Sequence, residues 1–545
     1  MTPAVYLALA LLALLPQAAG QPLASPGGGG NSPAEASRPT VTLEAGRVAG
    51  TASPAAVNRF LGVPFAAPPV RFDPPRPAPQ WQGIYDASRP KPACVQKFNY
   101  PDDVRNRAIR WFSTPGPPAG ESEDCLYLDV FVPAGAAEGS KAVMFWLFGG
   151  AFSFGTGSLP LYDGASFAEN QDVIVVSPNY RTNVFGFPGS PEKPQSEQNL
   201  GFLDQRMALE WVQRNIRAFG GDPKRVTLFG ESAGAGSVDV LVTNPPEPVP
   251  FAGAIMQSGQ GSIATPNRKS ADSWQKLVKA AGCDIPGGAL ACVRALPASR
   301  LKDIVERQAL TFAPIYDGGA TYRGSGRQDR RRSTPAAPGR IARVPILIGS
   351  NADEGGVFVY GQTDIQGFLA KLLPANSTKL ISTLLGTYRP DGGLGPVNRQ
   401  LAAILGDFNF GCPAKVVAEE SAAVGIPSWR YYFNATFSNT QIFPGSGAYH
   451  SAEISLVHGT YPRAGATPYQ AEVSRAMQKA WADFARDPAR GPGWRSALEV
   501  AVFGAGVRPG GDDGTGQPAM ALENPARIDR MCFLYKSIYD AATLT

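Results

Sequence analysis

Gly230-Glu231-Ser232-Ala233-Gly234 is the stretch on which the reading of this chain turns. An apolar run, Arg225-Val226-Thr227-Leu228-Phe229, precedes it, and small residues, Ala235-Gly236-Ser237, follow. A strand, a tight turn and a helix start are expected in that order. G-x-S-x-G in such a setting is the pattern of a nucleophile elbow. The turn strains the serine backbone and holds the hydroxyl at the top of a sheet. Glycines two residues to either side leave room for the neighbouring strand and helix. The N–H groups at the helix start point at any oxyanion that forms there. A chain with 61 glycines can contain this pentapeptide by chance, so its partners decide the matter.

A serine hydroxyl is a poor nucleophile at neutral pH and needs a positioned base. The chain has only two histidines, His450 and His458. His450 follows a loop of mostly small residues, Gly445-Ser446-Gly447-Ala448-Tyr449, and is the candidate base. His458 ends an apolar stretch, Ile454-Ser455-Leu456-Val457, and reads as a partly buried structural residue. A carboxylate must fix the imidazole tautomer and stabilise the imidazolium. The loop Gly349-Ser350-Asn351-Ala352-Asp353-Glu354-Gly355-Gly356 offers two, Asp353 and Glu354, and spacing does not choose between them. Phe148-Gly149-Gly150-Ala151-Phe152 supplies backbone N–H groups for an oxyanion hole, together with Ala233. The order serine, acid, histidine is that of α/β-hydrolases.

The flanking pattern suits that fold. Residues 143–148, 173–176, 225–229, 252–256, 344–348 and 431–433 read as buried strands. Residues 203–216, 270–310, 365–425 and 469–484 read as largely helical. Continuous apolar strands with helices between them predict a mostly parallel sheet covered on both faces. No composition shift divides the chain, so residues 41–545 are expected to form one large domain with insertions.

The 545 residues are 43% apolar and 17% charged, with a net charge of +5. Basic residues are dispersed, and no basic stripe interleaves with aromatics, which argues against nucleic-acid binding. The densest cluster, Arg327, Arg330, Arg331 and Arg332, reads as a solvated loop. Residues 5–15 are apolar and lead into Pro16-Gln17-Ala18-Ala19-Gly20, so residues 1–20 are expected to be a secretory signal peptide. Residues 21–40, rich in Gly, Ser, Pro and Ala, are expected to be a disordered leader. No later segment reads as long enough to span a bilayer, so a soluble, secreted protein without stable membrane insertion is expected.

Six cysteines suit an oxidising compartment. Spacing favours Cys94 with Cys125, Cys283 with Cys292, and Cys412 with Cys532. Asn376-Ser377-Thr378 and Asn434-Ala435-Thr436 are glycosylation sequons, so Asn376 and Asn434 are candidate acceptors.

With these residues in view, the chain resembles the type-B carboxylesterases, the group that includes cholinesterases and secreted fungal lipases and esterases. Phe219-Gly220-Gly221-Asp222-Pro223, with Val226, Leu228 and the elbow, fits that family's nucleophile signature. Glu123-Asp124-Cys125-Leu126-Tyr127-Leu128-Asp129-Val130 fits its second signature. Asn179-Tyr180-Arg181 with Phe185-Gly186-Phe187, and Asn199-Leu200-Gly201 with Asp204-Gln205, match as well. The resemblance runs from about residue 41 to the C-terminus. It implies an α/β-hydrolase fold and a nucleophile at Ser232. It makes Glu354 the acid, and His450, followed by Glu453, the base. The oxyanion donors it implies are Gly150, Ala151 and Ala233. Many members carry glycine where this chain has Ala151, and the extra methyl is expected to narrow the site against bulky alcohols. The favoured disulfide pairing matches the family's.

The activity implied is two-step acyl transfer on a small-molecule ester, with no metal or cofactor. Residues 95–124 should form part of a rim or lid. Their mixed charges, Asp102, Asp103, Arg105, Arg107 and Arg110, lack the broad apolar face of a lipase lid. Small or medium esters are therefore expected, with a true lipase as the alternative and a non-catalytic binding homologue or a secreted peptidase behind it. Trp111 resembles the tryptophan that binds quaternary ammonium in cholinesterases, but its neighbours do not match, and no choline substrate is expected. Phe152 and Phe154 are candidates for the acyl side.

Overall fold

The computed structural model describes residues 38–542, except 54–55, 264–268, 374–376, 390–396, 497 and 512. The expected signal peptide, nearly all of the expected leader and the sequon residue Asn376 lie outside the described residues. Arg38 already bonds to the backbone oxygens of Ala49 and Gly50, and the first strand opens at Thr40.

The described strands are β1 (Thr40–Leu43), β2 (Gly46–Ala49), β3 (Thr51–Ser53), β4 (Val57–Pro64), β5 (Ile84–Asp86), β6 (Tyr127–Pro133) and β7 (Lys141–Leu147). They continue with β8 (Ile174–Pro178), β9 (Gly221–Glu231), β10 (Gly253–Gln257), β11 (Ile346–Asn351), β12 (Ser428–Phe433), β13 (Val500–Phe503) and β14 (Met520–Glu523). Strands β1, β2 and β5 form a small sheet. The others form one sheet in the order β14-β13-β12-β11-β10-β9-β7-β8-β6-β4-β3. From β13 to β8 every neighbour is parallel; β14, β6, β4 and β3 run antiparallel to theirs.

This is the α/β-hydrolase architecture expected from the sequence. The parallel strands are buried along almost their whole length, as Val143 to Leu147, Ile174 to Val176 and Ile346 to Ile348 show. Helices cover both faces, so no polar alternation is needed. The Pro468–Arg486 helix packs against β7, β9 and β10, and the Ala233–Thr243 helix against β9 and β10.

All three expected disulfides are present: Cys94–Cys125, Cys283–Cys292 and Cys412–Cys532. Two expectations fail. The arginine cluster is not a solvated loop but a short helix, Gly326–Arg332. Arg327 and Arg330, three apart, share its inner face, where Arg327 meets Glu420 and Arg330 meets Asp239, while Arg331 and Arg332 stay exposed. Carboxylates on neighbouring helices make the burial tolerable, and a sequence read in one dimension does not reveal them. The helical run Arg399–Ala423 is also long and apolar enough, by length and composition alone, to cross a membrane. Asp407 and Lys415 interrupt its apolar pattern, so the sequence carries no continuous apolar run there. One side of it, with Leu401, Ile404, Cys412, Ala414, Val417 and Ala418, is buried against the rest of the protein.

Residues 95–124, expected to form part of a rim or lid, contain the helix Asp102–Phe112, none of whose residues is fully buried. Trp111 on it packs against Tyr360 and Phe443, with ring centroids 5.1 and 5.0 Å away.

Candidate active site

Strand β9 ends at Glu231 and the Ala233–Thr243 helix begins two residues later. Ser232, between them, has φ +54° and ψ −120°, a conformation that costs a residue with a Cβ roughly 1–3 kcal/mol. Its own N–H donates to Gln257 O at 2.8 Å, and its carbonyl accepts from Gly236 N at 2.8 Å. The need for glycine at the elbow is steric. A Cβ on Gly234 would lie 1.9 Å from Leu147 O, on the neighbouring strand β7. The first helical N–H groups, starting at Ala233, have no partner within the helix.

The loop after β7 closes over the serine. A Cβ on Gly149 would come within 2.5 Å of Glu231 Oε2 and 3.0 Å of Ser232 Cβ, so only glycine allows this approach. The chain then continues with positive φ at Gly150, Ala151 and Phe152. Ala151 is exposed. Phe152 turns inward against Phe187 and Phe202, whereas Phe154 stacks on Phe98 and Phe112 nearer the rim.

The two open carboxylates separate cleanly. Glu354 is 2% exposed; its Oε2 accepts from His450 Nδ1 at 2.6 Å, and its Oε1 from Ser258 Oγ at 2.5 Å and Asn351 N at 2.7 Å. Asp353 instead caps the neighbouring loop, accepting Ala448 N at 2.8 Å. In the neutral ring whose proton sits on Nδ1, facing Glu354, the Nε2 lone pair is free. Nε2 has no hydrogen-bond partner, and no bond joins it to Ser232 in this structure. It lies 3.3 Å from Glu231 Oε1 without hydrogen-bond geometry. Catalytic hydrogen bonds often tighten only when substrate binds. The ring is held by Phe410 and Phe358, at 4.6 and 5.1 Å between centroids.

His458 is wholly buried rather than partly so. Its ring sits among Trp146, Tyr162, Phe167 and Phe229, and neither nitrogen has a partner. Burial alone pushes it down to about 3, so it is neutral and inert as a base.

A cavity of about 420 Å³ opens over Ser232 and Ala233. Its walls are largely apolar, with Phe152, Phe202, Tyr322 and Phe410 prominent. Ile538 and Tyr539, from the Lys536–Ala542 helix at the C-terminal end, complete one side.

The profile of the carboxylesterase family matches residues 37–496. The chain belongs to that family. It is 33% identical over 494 residues to an acetylcholinesterase of Bungarus fasciatus, covering 83% of this chain and 79% of the relative. It is also 33% identical over 485 residues to a cholinesterase of Mus musculus, covering 82% and 78%. It is accordingly a carboxylic-ester hydrolase of the serine hydrolase type, acting on small-molecule esters.

In this carboxylesterase two further buried carboxylates surround the histidine: Glu453, which the resemblance marks only as part of the histidine pattern, and Glu231, which the sequence does not single out. Glu231 Oε1 accepts Ser451 Oγ at 2.6 Å. Glu453 accepts Gln257 Nε2 at 2.9 Å and Asn351 Nδ2 at 2.6 Å. Glu231 occupies a variable place in the elbow pattern, which gives no signal of a role. Burial would push the His450 ring down, but the charges of Glu231 and Glu354, the Glu354 bond and Glu453 outweigh it and lift the ring to about 9. Glu231 rises to about 8 because burial outweighs the opposing His450 charge, with Glu453 and Glu354 adding to the rise. Burial, opposed by the Asn351 bond, also raises Glu453. Groups this close titrate as a unit. Among the described residues no group of three or more His, Cys, Asp or Glu side chains is placed to hold a metal ion.

Proposed function

We propose that Ser232 is the nucleophile, His450 the general base and Glu354 the acid of a catalytic triad, with Gly150, Ala151 and Ala233 donating to the oxyanion. The observation that carries this reading is the 2.6 Å bond from His450 Nδ1 to a doubly anchored Glu354, which leaves Nε2 as the one nitrogen able to take a proton. Ser232 Oγ attacks the ester carbonyl while Nε2 accepts its proton. The imidazolium, stabilised by Glu354, then protonates the departing alcohol. Water then attacks the acyl-enzyme while Nε2 takes its proton, and Nε2 passes that proton to Ser232 Oγ as the acyl–oxygen bond breaks and the carboxylic acid leaves. Backbone N–H groups offset the charge on the tetrahedral oxygen.

The substrate class is a small or medium ester with an apolar acyl or alcohol group. The largely apolar cavity of about 420 Å³ supports this, and so does the rim helix Asp102–Phe112, which alternates charge with apolar residues. Three disulfides and the expected leader support a secreted protein.

The test is hydrolysis of p-nitrophenyl esters of increasing acyl length by the protein and by Ser232→Ala. Turnover of short chains, lost by at least ~10³-fold in the variant, is expected. Equal activity in both proteins overturns the assignment of Ser232. A preference for long chains that jumps at an oil–water interface overturns the substrate class.

A further inference from the structure

Among the described residues that line the cavity over Ser232 none is charged, and most of the polar side chains are already committed. Ser258 Oγ is spent on Glu354. Tyr322 donates its hydroxyl to Gly261 O at 2.7 Å, and Tyr539 donates its own to Phe408 O at 2.6 Å. The Gln260 amide is buried, with no surface open to the cavity. Ser232 and Asn409 remain. Asn409 is exposed, and its side chain makes no hydrogen bond to a described residue.

Helix geometry turns Asn409 inward. Asp407–Gly411 is a π-helical turn set between the helices Arg399–Gly406 and Cys412–Ala423. Such turns recur at functional sites. Phe408 packs against Tyr535 and Tyr539, at 5.4 and 5.9 Å between ring centroids. Phe410 packs against His450 and Phe358, at 4.6 and 5.7 Å. Consecutive side chains on a helical turn diverge by roughly 100°. Asn409 stands between two rings that both border the cavity, so it faces the space they frame. The Tyr539 bond to Phe408 O and the Tyr388 bond to Asp407 Oδ2, each 2.6 Å, hold the turn in that setting.

We propose that Asn409 determines specificity in this cavity, and that the preferred substrate is an uncharged ester with a second oxygen function, an ether or a carbonyl, that accepts the Asn409 Nδ2–H. The inference rests on Ser232 as the attacking group and narrows the class of ester it acts on. A charged group on the substrate would meet no counter-ion on these walls. An amide is neutral and always carries a donor, so it pairs with an ether or carbonyl oxygen while the rest of the chain lies on apolar surface. Binding exchanges a partner in solvent for one on the substrate, so the expected preference is modest, about two- to tenfold in kcat/KM.

The experiment measures kcat/KM for matched pairs of esters that differ at one position. Ethyl levulinate against ethyl pentanoate probes the acyl side, and methoxyethyl butyrate against butyl butyrate probes the alcohol side. The ratio within each pair is compared among the unaltered protein, Asn409→Leu and Asn409→Asp. Because the ratio is internal to each sample, a partly misfolded variant does not distort it. Asn409→Leu is expected to lower the ratio of oxygenated to plain ester by about two- to tenfold in at least one pair, and that pair fixes the side on which the group lies. Asn409→Asp keeps the shape but loses the donor, and should lower the same ratio. Ratios unchanged in both pairs overturn the proposal, and so does an aspartate variant that keeps the preference of the unaltered protein. Ser232→Ala is read separately: activity persisting there sinks the nucleophile assignment whatever the ratios show.

Discussion

Glu231 Oε1 stands 3.3 Å from His450 Nε2, the ring nitrogen opposite the one bonded to Glu354. The imidazole is thus flanked by carboxylates on both nitrogens, and this sets the pH behaviour. A general base works only when neutral, so lifting His450 to about 9 moves the rising limb of kcat/KM toward alkaline pH. Glu231→Gln removes the largest charge lifting the ring. The limb is expected to move down by about one pH unit or more in a pH profile of kcat/KM. An unchanged limb refutes the coupling.

Glu354 and Asp353 are adjacent acids with unlike contacts, and their amide variants should behave differently. Glu354→Gln disturbs the tautomer of His450 and is expected to lower kcat by roughly 10³–10⁴-fold with little change in KM. Asp353→Asn weakens the tie to Ala448 and the ion pair with Arg508 but touches neither His450 nor Ser232, and should leave kcat within about threefold, with a stability loss near ~1 kcal/mol. Steady-state kinetics on a short ester, with urea unfolding alongside, distinguishes them.

His458 opposes His450 in its effect on stability. Its folded value of about 3 lies below the ordinary 6.5, so the unfolded chain binds the extra proton between those values. Its contribution is full above about pH 6.5 and fades as pH falls toward 3. His450 and Glu231 have folded values above their unfolded ones, so their contributions fade as pH rises through about 9 and 8. His458→Phe should flatten the acid side, with a smaller loss of unfolding free energy from pH 7 to 4.5 than in the unaltered protein. An equal loss on acidification refutes the assignment.

Arg330 and Asp239 are 1% and 0% exposed, and Asp239 lies on the helix that starts at Ser232. Arg330 also donates to Ser262 Oγ, and Asp239 accepts Ser262 N. Arg330→Met strands a buried carboxylate and is expected to cost about 3–5 kcal/mol. Arg330→Met with Asp239→Leu should cost distinctly less, because no charge is left unpaired. Denaturant titration of the two single variants and the double variant measures the coupling.

Much of this geometry was legible in the sequence because backbone rules leave few alternatives. Gly230 and Gly234 bracket a serine whose left-handed conformation permits nothing bulkier beside it. Two histidines, one in a loop of small residues and one in an apolar run, could be told apart by context. The choice of Glu354 over Asp353 rested on resemblance, and the hydrogen bond to His450 now gives it a physical basis. What escaped the sequence depends on contacts between distant segments. Arg327 and Arg330 read as solvated until Glu420 and Asp239 are seen beside them. Glu231 and Ser258 carry no local pattern, since their surroundings come from β9, β10 and the histidine loop together. Strands β13 and β14, short and set among turns, were missed for the same reason.

Ile538 and Tyr539 give the chain's far end a part in choosing what enters. They belong to the last described helix, which Cys532, a few residues before it, moors to Cys412. A reducing environment acts at the same spot, slackening the mooring while leaving serine, histidine and glutamate chemically intact. Thiol reductants therefore belong outside any assay meant to rank substrates.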